Sequence, residues 1–466
     1  MKNIRINIII KVLVFVIFIS GVLIFTDSII KAKFIGDSTS IVNGFYSEKR
    51  NSIDLLVIGS SNSFCTIDPV TLYEDYGITA YDFGSSSQPL NISLLYIKEA
   101  LKKQNPKVVA LEANMLIGDC MQRGNEAAFR WGYTDIPLSV NKLRAVYQSL
   151  GKVDKEYFTY IFPVFRYHNR WKELSKTDYI YWKQDKTNYS KGYLQTQSVC
   201  AEPVRLDFYY DYQNIDYEHY VSSEALEYID EIKKICDKKG ISLLLFKSPK
   251  QGWYAADTEA VRLIANERNL EFIDYNELYN NGMFMLDTVN DFRDADHLND
   301  FGAKKVSGDF GRIVVEKYGL TDNRNPAEPS EAQADKYASW EEAVSYRHRQ
   351  GWQLYMEAVT AKECIELLQN EPQYVLIVTD AKSGANNDRV HQWVYSDGKI
   401  LVDQIWEDTG IRHLKIGESE LVLSKFGALQ QVLIDGVENY EADSRWNIII
   451  YDKNCKEVVG RMKYEN

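Results

Sequence analysis

Apolar positions along this chain fall into short, nearly continuous runs separated by longer amphipathic stretches. Ile53-Asp54-Leu55-Leu56-Val57-Ile58-Gly59 is the first run after the N-terminal region. Thr79–Gly84, Lys107–Glu112, Ile241–Phe246 and Leu270–Tyr275 follow. Runs of four to six apolar residues without polar alternation suit strands of a parallel sheet covered on both faces. Between them, helical spacing occurs in Leu94–Lys103, Ser222–Lys239 and Ala260–Asn269. Ser222-Ser223-Glu224 is a capped helix start and Gly240 a stop. Five strands with helical crossovers predict a three-layer α/β domain over residues 45–320, with ligands bound beyond the carboxyl ends of the strands. Residues 117–220 interrupt the alternation, and their Tyr, Trp and Arg content (Tyr167-His168-Asn169-Arg170-Trp171) reads as a partly helical insertion packed over the strand ends. It serves either as a structural cap or as a substrate wall or partner surface.

The pattern changes twice more. Residues 321–340 are rich in Asp, Asn, Pro, Ala, Glu and Ser, the composition of a linker. Beyond them, a helical stretch from Glu341 to about Leu368 precedes strand-like segments at Tyr374–Val378, Val390–Val394, Lys399–Ile405, Glu420–Leu423, Gln431–Ile434, Trp446–Tyr451 and Glu457–Met462. Gly398 and Gly436 mark turns. Residues 341–466 therefore read as a separate, mostly β accessory domain.

At the other end, Ile6–Phe25 is almost wholly apolar and long enough to cross a bilayer as a helix. Lys2, Arg5 and Lys11 lie toward its N-terminal side, which places that end in the cytoplasm and the bulk of the chain outside. A cleaved signal peptide is the alternative. Thr26-Asp27-Ser28-Ile29-Ile30-Lys31 offers no small-x-small cleavage site, so an uncleaved single-pass anchor over residues 1–33 is the expectation.

Composition narrows the function. A formal charge of -12 argues against nucleic-acid binding, which needs clustered Lys and Arg. The six cysteines, Cys65, Cys120, Cys200, Cys236, Cys364 and Cys455, show no CxxC spacing and read as free thiols. No Walker A, dinucleotide or HExxH pattern occurs, so neither a metal nor an organic cofactor is expected. Of the six histidines, His297 alone has a chemical context, with Asp294 three residues before it in Asp294-Ala295-Asp296-His297-Leu298-Asn299. The first strand ends in Gly59-Ser60-Ser61-Asn62-Ser63. A serine hydroxyl becomes a useful nucleophile when a histidine takes its proton and an acid orients that histidine. Asp296 adjoins His297 and points elsewhere more often than Asp294 does. His168, His219, His348, His391 and His413 read as structural, and Lys247 and Lys250, flanking Pro249, as solvated.

On these motifs the chain resembles the SGNH/GDSL hydrolase superfamily over about residues 50–320, and within it the membrane-anchored, cell-envelope branch of O-acyl esterases and acyltransferases. Gly59-Ser60-Ser61-Asn62-Ser63 stands where that family has Gly-Asp-Ser-x-Ser, with Ser60 replacing the aspartate. Gly84 matches the glycine of the second motif and Asp294-x-x-His297 the last, while Asn114 in Glu112-Ala113-Asn114 is the nearest counterpart of the third-motif asparagine. The resemblance implies a flavodoxin-like α/β/α fold with Ser61 as nucleophile, His297 as base and Asp294 as its orienting acid. It also implies an oxyanion hole formed by Ser61, Gly84 and Asn114. The implied reaction is transfer or hydrolysis of O-acyl groups, acetyl above all, on a cell-envelope polysaccharide, with a multi-spanning membrane acyltransferase as a partner. A catalytically inactive scaffold that binds glycans is the alternative.

Overall fold

The protein is described by a computed structural model covering residues 2–31, 37–151, 154–181, 186–196, 199–200, 202–206, 221–320, 322, 324, 331–349, 360–381, 390–407, 409–426, 429–439, 445–453 and 456–464. His219 and Cys455 lie outside the described residues, as does the His348 side chain.

Five strands, β1 (Leu55–Ile58), β2 (Ala80–Asp82), β3 (Val108–Glu112), β4 (Ser242–Lys247) and β5 (Glu271–Asp274), form a parallel sheet in the order β2-β1-β3-β4-β5. Their apolar runs are continuous because both faces are buried. Leu56, Ile58, Val109, Leu111, Leu243 and Leu245 enter one core. Leu55, Val57, Val108, Ala110, Leu244 and Phe246 enter another on the opposite face. This is the period-two alternation of a strand with apolar partners on each side.

The helices, in chain order, are α1 (Lys2–Ile30), α2 (Asp37–Ser47), α3 (Ser61–Phe64), α4 (Pro69–Tyr76), α5 (Leu90–Ala100), α6 (Glu126–Tyr133), α7 (Val140–Leu150), α8 (Phe158–Ile161), α9 (Val164–Tyr167), α10 (Lys176–Ile180), α11 (Ser223–Lys239), α12 (Ala255–Glu267), α13 (Tyr275–Asn280), α14 (Asp300–Tyr318), α15 (Glu331–Arg349) and α16 (Ala361–Leu368). α5, α11 and α12 supply the first core with Leu95, Ile97, Ile229, Ile232, Val261 and Ile264. α4 and α14 supply the second with Leu72, Val306, Phe310 and Val314. Ser222 caps α11 by accepting from Ala225 N, and Gly240 ends it at φ 67°. α1 is long and apolar enough to cross a membrane, a property that signal sequences share.

Three differences from the sequence reading have physical causes. The helical part of the insertion does not lie over the strand ends. Its apolar side chains Phe129, Tyr133, Val146, Leu150 and Tyr160 join the core shared with α5, and α9 and α10 pack on the end of α1. Among the described residues, its returning stretch crosses the strand-end face, where Lys191 O accepts from Asp82 N and Leu194 N donates to Phe64 O. Second, half of the expected linker belongs to α15, whose Trp340 is fully buried and stacks on Tyr73. Arg347 of the same helix forms a buried ion pair with Asp68. A helix that buries so few apolar residues has the composition of a linker. Third, β9 (Gly410–Ile416) was not expected, since most of its residues are exposed on both faces and it lacks a clear alternation.

In the C-terminal region, β6 (Tyr374–Ala381), β7 (Val390–Ser396), β8 (Lys399–Trp406), β13 (Trp446–Asp452) and β14 (Glu457–Tyr464) form an antiparallel sheet in the order β14-β13-β6-β7-β8. β9, β10 (Ser419–Phe426), β11 (Leu429–Ile434) and β12 (Val437–Glu438) form another. Val375, Ile377, Val394, Leu421, Leu423, Val432 and Ile449 share one core between the two sheets, and α16 covers the other face of the larger. Cys120, Cys236 and Cys364 are free and buried, Cys65 is buried, and Cys200 is free and partly buried.

Candidate active site

The site begins where β1 runs out. Gly59 leaves the strand so close to its neighbours that a β carbon would lie 2.7 Å from Glu112 Cβ and 2.8 Å from Ser63 Cβ. Ser60 then caps α3, its hydroxyl accepting from Asn62 N at 3.4 Å. Ser61 is the first residue of that turn, so its N–H has no acceptor within the helix. Beneath it, the Ser63 hydroxyl lies 2.9 Å from Asp82 Oδ1 and 3.0 Å from the Ser60 carbonyl. Burial pushes Asp82 well above the usual carboxylate range, against the hydrogen bond from Ser63.

The other half comes from the loop between α13 and α14. A bridge between Phe292 and Leu298, and the bond from Arg293 N to His297 O at 3.1 Å, close residues 292–298 into a tight hairpin. Asn299 then caps α14, its carboxamide oxygen accepting from Phe301 N and Gly302 N. Within the hairpin, His297 Nδ1 lies 2.8 Å from Asp294 Oδ1 and 3.0 Å from Oδ2. His297 Nε2 lies 2.8 Å from Ser61 Oγ. With Nδ1–H donating to the carboxylate, Nε2 is the acceptor that faces the serine hydroxyl.

Asp294 is tuned for that task. Burial works against its charge, but the hydrogen bond from His297, the charge of that ring, the Asp296 N–H and Arg293 outweigh it. They hold the carboxyl well below the usual range. Because its folded-state value is depressed, Asp294 contributes stability at pH values above the ordinary carboxylate range, and that contribution disappears only as pH falls through the depressed value. An acid limb of activity near neutrality therefore does not report protonation of Asp294. Asp294→Asn should keep the fold and lower kcat by about 10⁴-fold, because it favours the wrong imidazole tautomer. A pH–rate profile beside a thermal melt checks both.

Asp296, the neighbouring carboxylate, points away to pair with Lys250 at 2.9 Å. Its carbonyl oxygen accepts from Asn62 Nδ2 at 2.9 Å, which ties the histidine loop to the serine turn. Sequence reading missed this role of Asn62.

Gly84 and Asn114 leave the ends of β2 and β3, the two strands that flank β1. A β carbon on Gly84 would lie 2.5 Å from the Gly59 carbonyl oxygen, so only glycine lets this loop close on the serine turn. Gly84→Ala should cost about 1–3 kcal/mol as overpacking and should also lower turnover by displacing Ser61. Thermal denaturation and ester hydrolysis on one preparation measure the two effects. Asn114 sits in a 3-10 turn (Ala113–Leu116) whose backbone is held by the bond from Asn114 N to Glu112 Oε2 at 3.0 Å. The structure records no contact between its carboxamide and the Ser61–His297–Asp294 group.

Behind the site, Lys247 and Glu112 form a fully buried ion pair at 2.8 Å. This corrects the expectation that Lys247 is solvated. The chain end of β4 turns inward, and Ser248 donates its hydroxyl to Asn62 O at 2.7 Å and its N–H to Glu112 Oε1 at 3.3 Å. Burial lowers the Lys247 ammonium from its ordinary range against the pull of Glu112. His168 bonds the Phe165 carbonyl, and His391 and His413 pair with Asp403 and Glu420, all on other elements than these. A cavity of about 600 Å³ between α6, α7, α8 and α11, lined by Phe129, Arg130, Tyr160 and Tyr228 among others, contains none of the site residues. Among the described residues, no group of three or more His, Cys, Asp or Glu side chains is placed to hold a metal ion.

No family model matches this sequence, and no curated protein sequence matches it. The geometry of the site therefore carries the functional reading.

Proposed function

We propose that this protein is a serine O-acyltransferase or esterase of the SGNH/GDSL type, acting on acyl groups of a cell-envelope polysaccharide. The observation that carries the reading is the unbroken chain Asp294 Oδ1–His297 Nδ1 (2.8 Å) and His297 Nε2–Ser61 Oγ (2.8 Å). In this mechanism His297 takes the Ser61 proton as Oγ attacks the acyl carbonyl. The tetrahedral oxygen is met by the Ser61 N–H, with the Gly84 N–H and the Asn114 carboxamide as further donors. Each such donor is worth about 2.7–4 kcal/mol of transition-state stabilisation. His297 then protonates the leaving alcohol, leaving an acyl-Ser61 ester. A sugar hydroxyl or a water, deprotonated by the same imidazole, releases the acyl group and restores Ser61.

The apolar α1 supports an anchored protein whose bulk works outside the membrane, where such a polysaccharide lies. A multi-spanning membrane acyltransferase is the partner that would supply acyl groups. The rival reading, a glycan-binding scaffold, has less support, because an unused serine needs no imidazole within hydrogen-bond distance.

The full chain in detergent, given p-nitrophenyl acetate and a chemically deacetylated envelope polysaccharide, tests the proposal. Nitrophenol release with new acetyl esters on the polysaccharide means transfer. Release with free acetate alone means hydrolysis. Absence of any release would contradict acyl chemistry at Ser61.

A further inference from the structure

The helical insertion carries a set of large apolar side chains that the catalytic reading does not use. Phe158, Phe165, Trp171 and Tyr179 are 41%, 49%, 62% and 54% exposed. They sit on α8, α9, the turn His168–Lys172 and α10, and the last three of these elements pack against α1. Phe158 and Phe165 also meet edge to face at 5.6 Å, which joins α8 to the same patch.

How these elements meet α1 fixes their height. The residues of α1 described up to Phe25 are open on all sides, whereas Thr26 onward is covered and Ile29 is buried. Val164 N donates to Asp27 Oδ1 at 2.6 Å. Arg170 Nη1 donates to the Ile30 and Lys31 carbonyls at 2.8 and 2.6 Å, and Lys31 pairs with Asp135 at 2.9 Å. At a rise of 1.5 Å per residue, Asp27 to Lys31 lie about 3–9 Å beyond Phe25 along the helix axis. A headgroup layer is about 5–8 Å thick on each side of the hydrocarbon core. Whatever is bonded to Asp27–Lys31 is therefore held at headgroup depth if α1 spans a bilayer.

The side-chain chemistry fits that depth. Trp171 and Tyr179 have the apolar body and polar tip of rings that collect at membrane interfaces, Phe158 and Phe165 add apolar area beside them, and neighbouring cations meet lipid phosphates. Here Arg166 is half exposed, and the Lys172 ammonium sits 5.7 Å from the Trp171 ring centroid.

We propose that the insertion, through Phe158, Phe165, Trp171 and Tyr179, rests on the lipid headgroup surface from which α1 emerges and so fixes the tilt of the catalytic domain against the bilayer. This rests on the reading of α1 as a retained membrane span. It gives the insertion a function other than a wall for the Ser61 site: it is a foot. A rigid foot keeps the Ser61 site at one height and orientation, where a single helix followed by a loose tether would leave it free to swing.

The test uses the full chain reconstituted in nanodiscs of phosphatidylcholine and phosphatidylglycerol, with and without acyl chains brominated near the headgroup. Residues 2–30 contain no tryptophan, so quenching reports the folded domain and not the anchor. The proposal expects a quenched fraction of tryptophan emission that Trp171→Phe removes. Quenching identical in wild type and Trp171→Phe would overturn it. A chemically cross-linkable dimer under those conditions would then identify a second copy as what covers the face. Flotation of the same sample on a density gradient separates the two readings. A chain that fails to float with lipid refutes the anchor itself, whereas a floating chain without Trp171 quenching refutes only the foot.

Discussion

Ser61→Ala should lower kcat for p-nitrophenyl acetate by about 10⁶-fold, the loss seen when the nucleophile of an assembled triad is removed, and should leave the melting temperature nearly unchanged. Ser61 Oγ accepts no structural duty in the fold: its recorded side-chain partner is His297 Nε2. The turn that carries it is built by others, namely the Ser60 cap, the Ser63 contacts with Asp82 and Ser60, and the Ser248 bond to Asn62 O. Alanine therefore removes the reacting atom and nothing that holds the turn. Activity within tenfold of wild type, with an unaltered melt, would sink the assignment of Ser61.

Lys247→Met should destabilise the protein by about 3–5 kcal/mol, the cost of leaving a buried charge without its partner. That is a large share of the 5–15 kcal/mol that holds a typical domain together. Both side chains are wholly inaccessible, so solvent cannot replace the lost ion. Glu112 also accepts from Asn114 N and Ser248 N, which means that the same substitution loosens two loops around the serine turn. Adding Glu112→Gln to Lys247→Met should recover part of the loss, because a neutral amide still offers an acceptor to those N–H groups without an uncompensated charge. Urea unfolding of the single and double variants measures this. A single variant within about 1 kcal/mol of wild type, the worth of an exposed pair, would mean that the pair is not buried as described.

The contrast between these residues shows what a sequence discloses. Ser61, Asp294 and His297 were legible because their chemistry is local: a Gly-Ser-Ser turn at a strand end, and an acid three residues before an imidazole. The parallel strands were legible because burial on both faces removes polar alternation. Lys247 was not, since a lysine beside a proline looks solvated and its partner Glu112 lies 135 residues away in the chain. Asn62 looked like a spacer within the motif, and its bond to Asp296 O exists only once the two loops meet. Residues 331–340, the first half of α15, have a linker's composition because few apolar side chains besides Trp340 attach the helix. The sequence of the insertion does not tell a cover over the strand ends from a packing face, because aromatic residues suit a sugar-facing wall as well as they suit a core. The bonds to Asp27, Ile30 and Lys31 place its helices beside α1.

Everything proposed for the site requires that Ser61 be an activated nucleophile. The most direct measurement is to treat the full chain with a fluorophosphonate and locate the adduct by peptide mass, in wild type beside His297→Ala. One adduct is expected, on Ser61, formed in wild type and lost or slowed at least a thousandfold in the variant. No adduct on Ser61, or labelling at the same rate without His297, would contradict it.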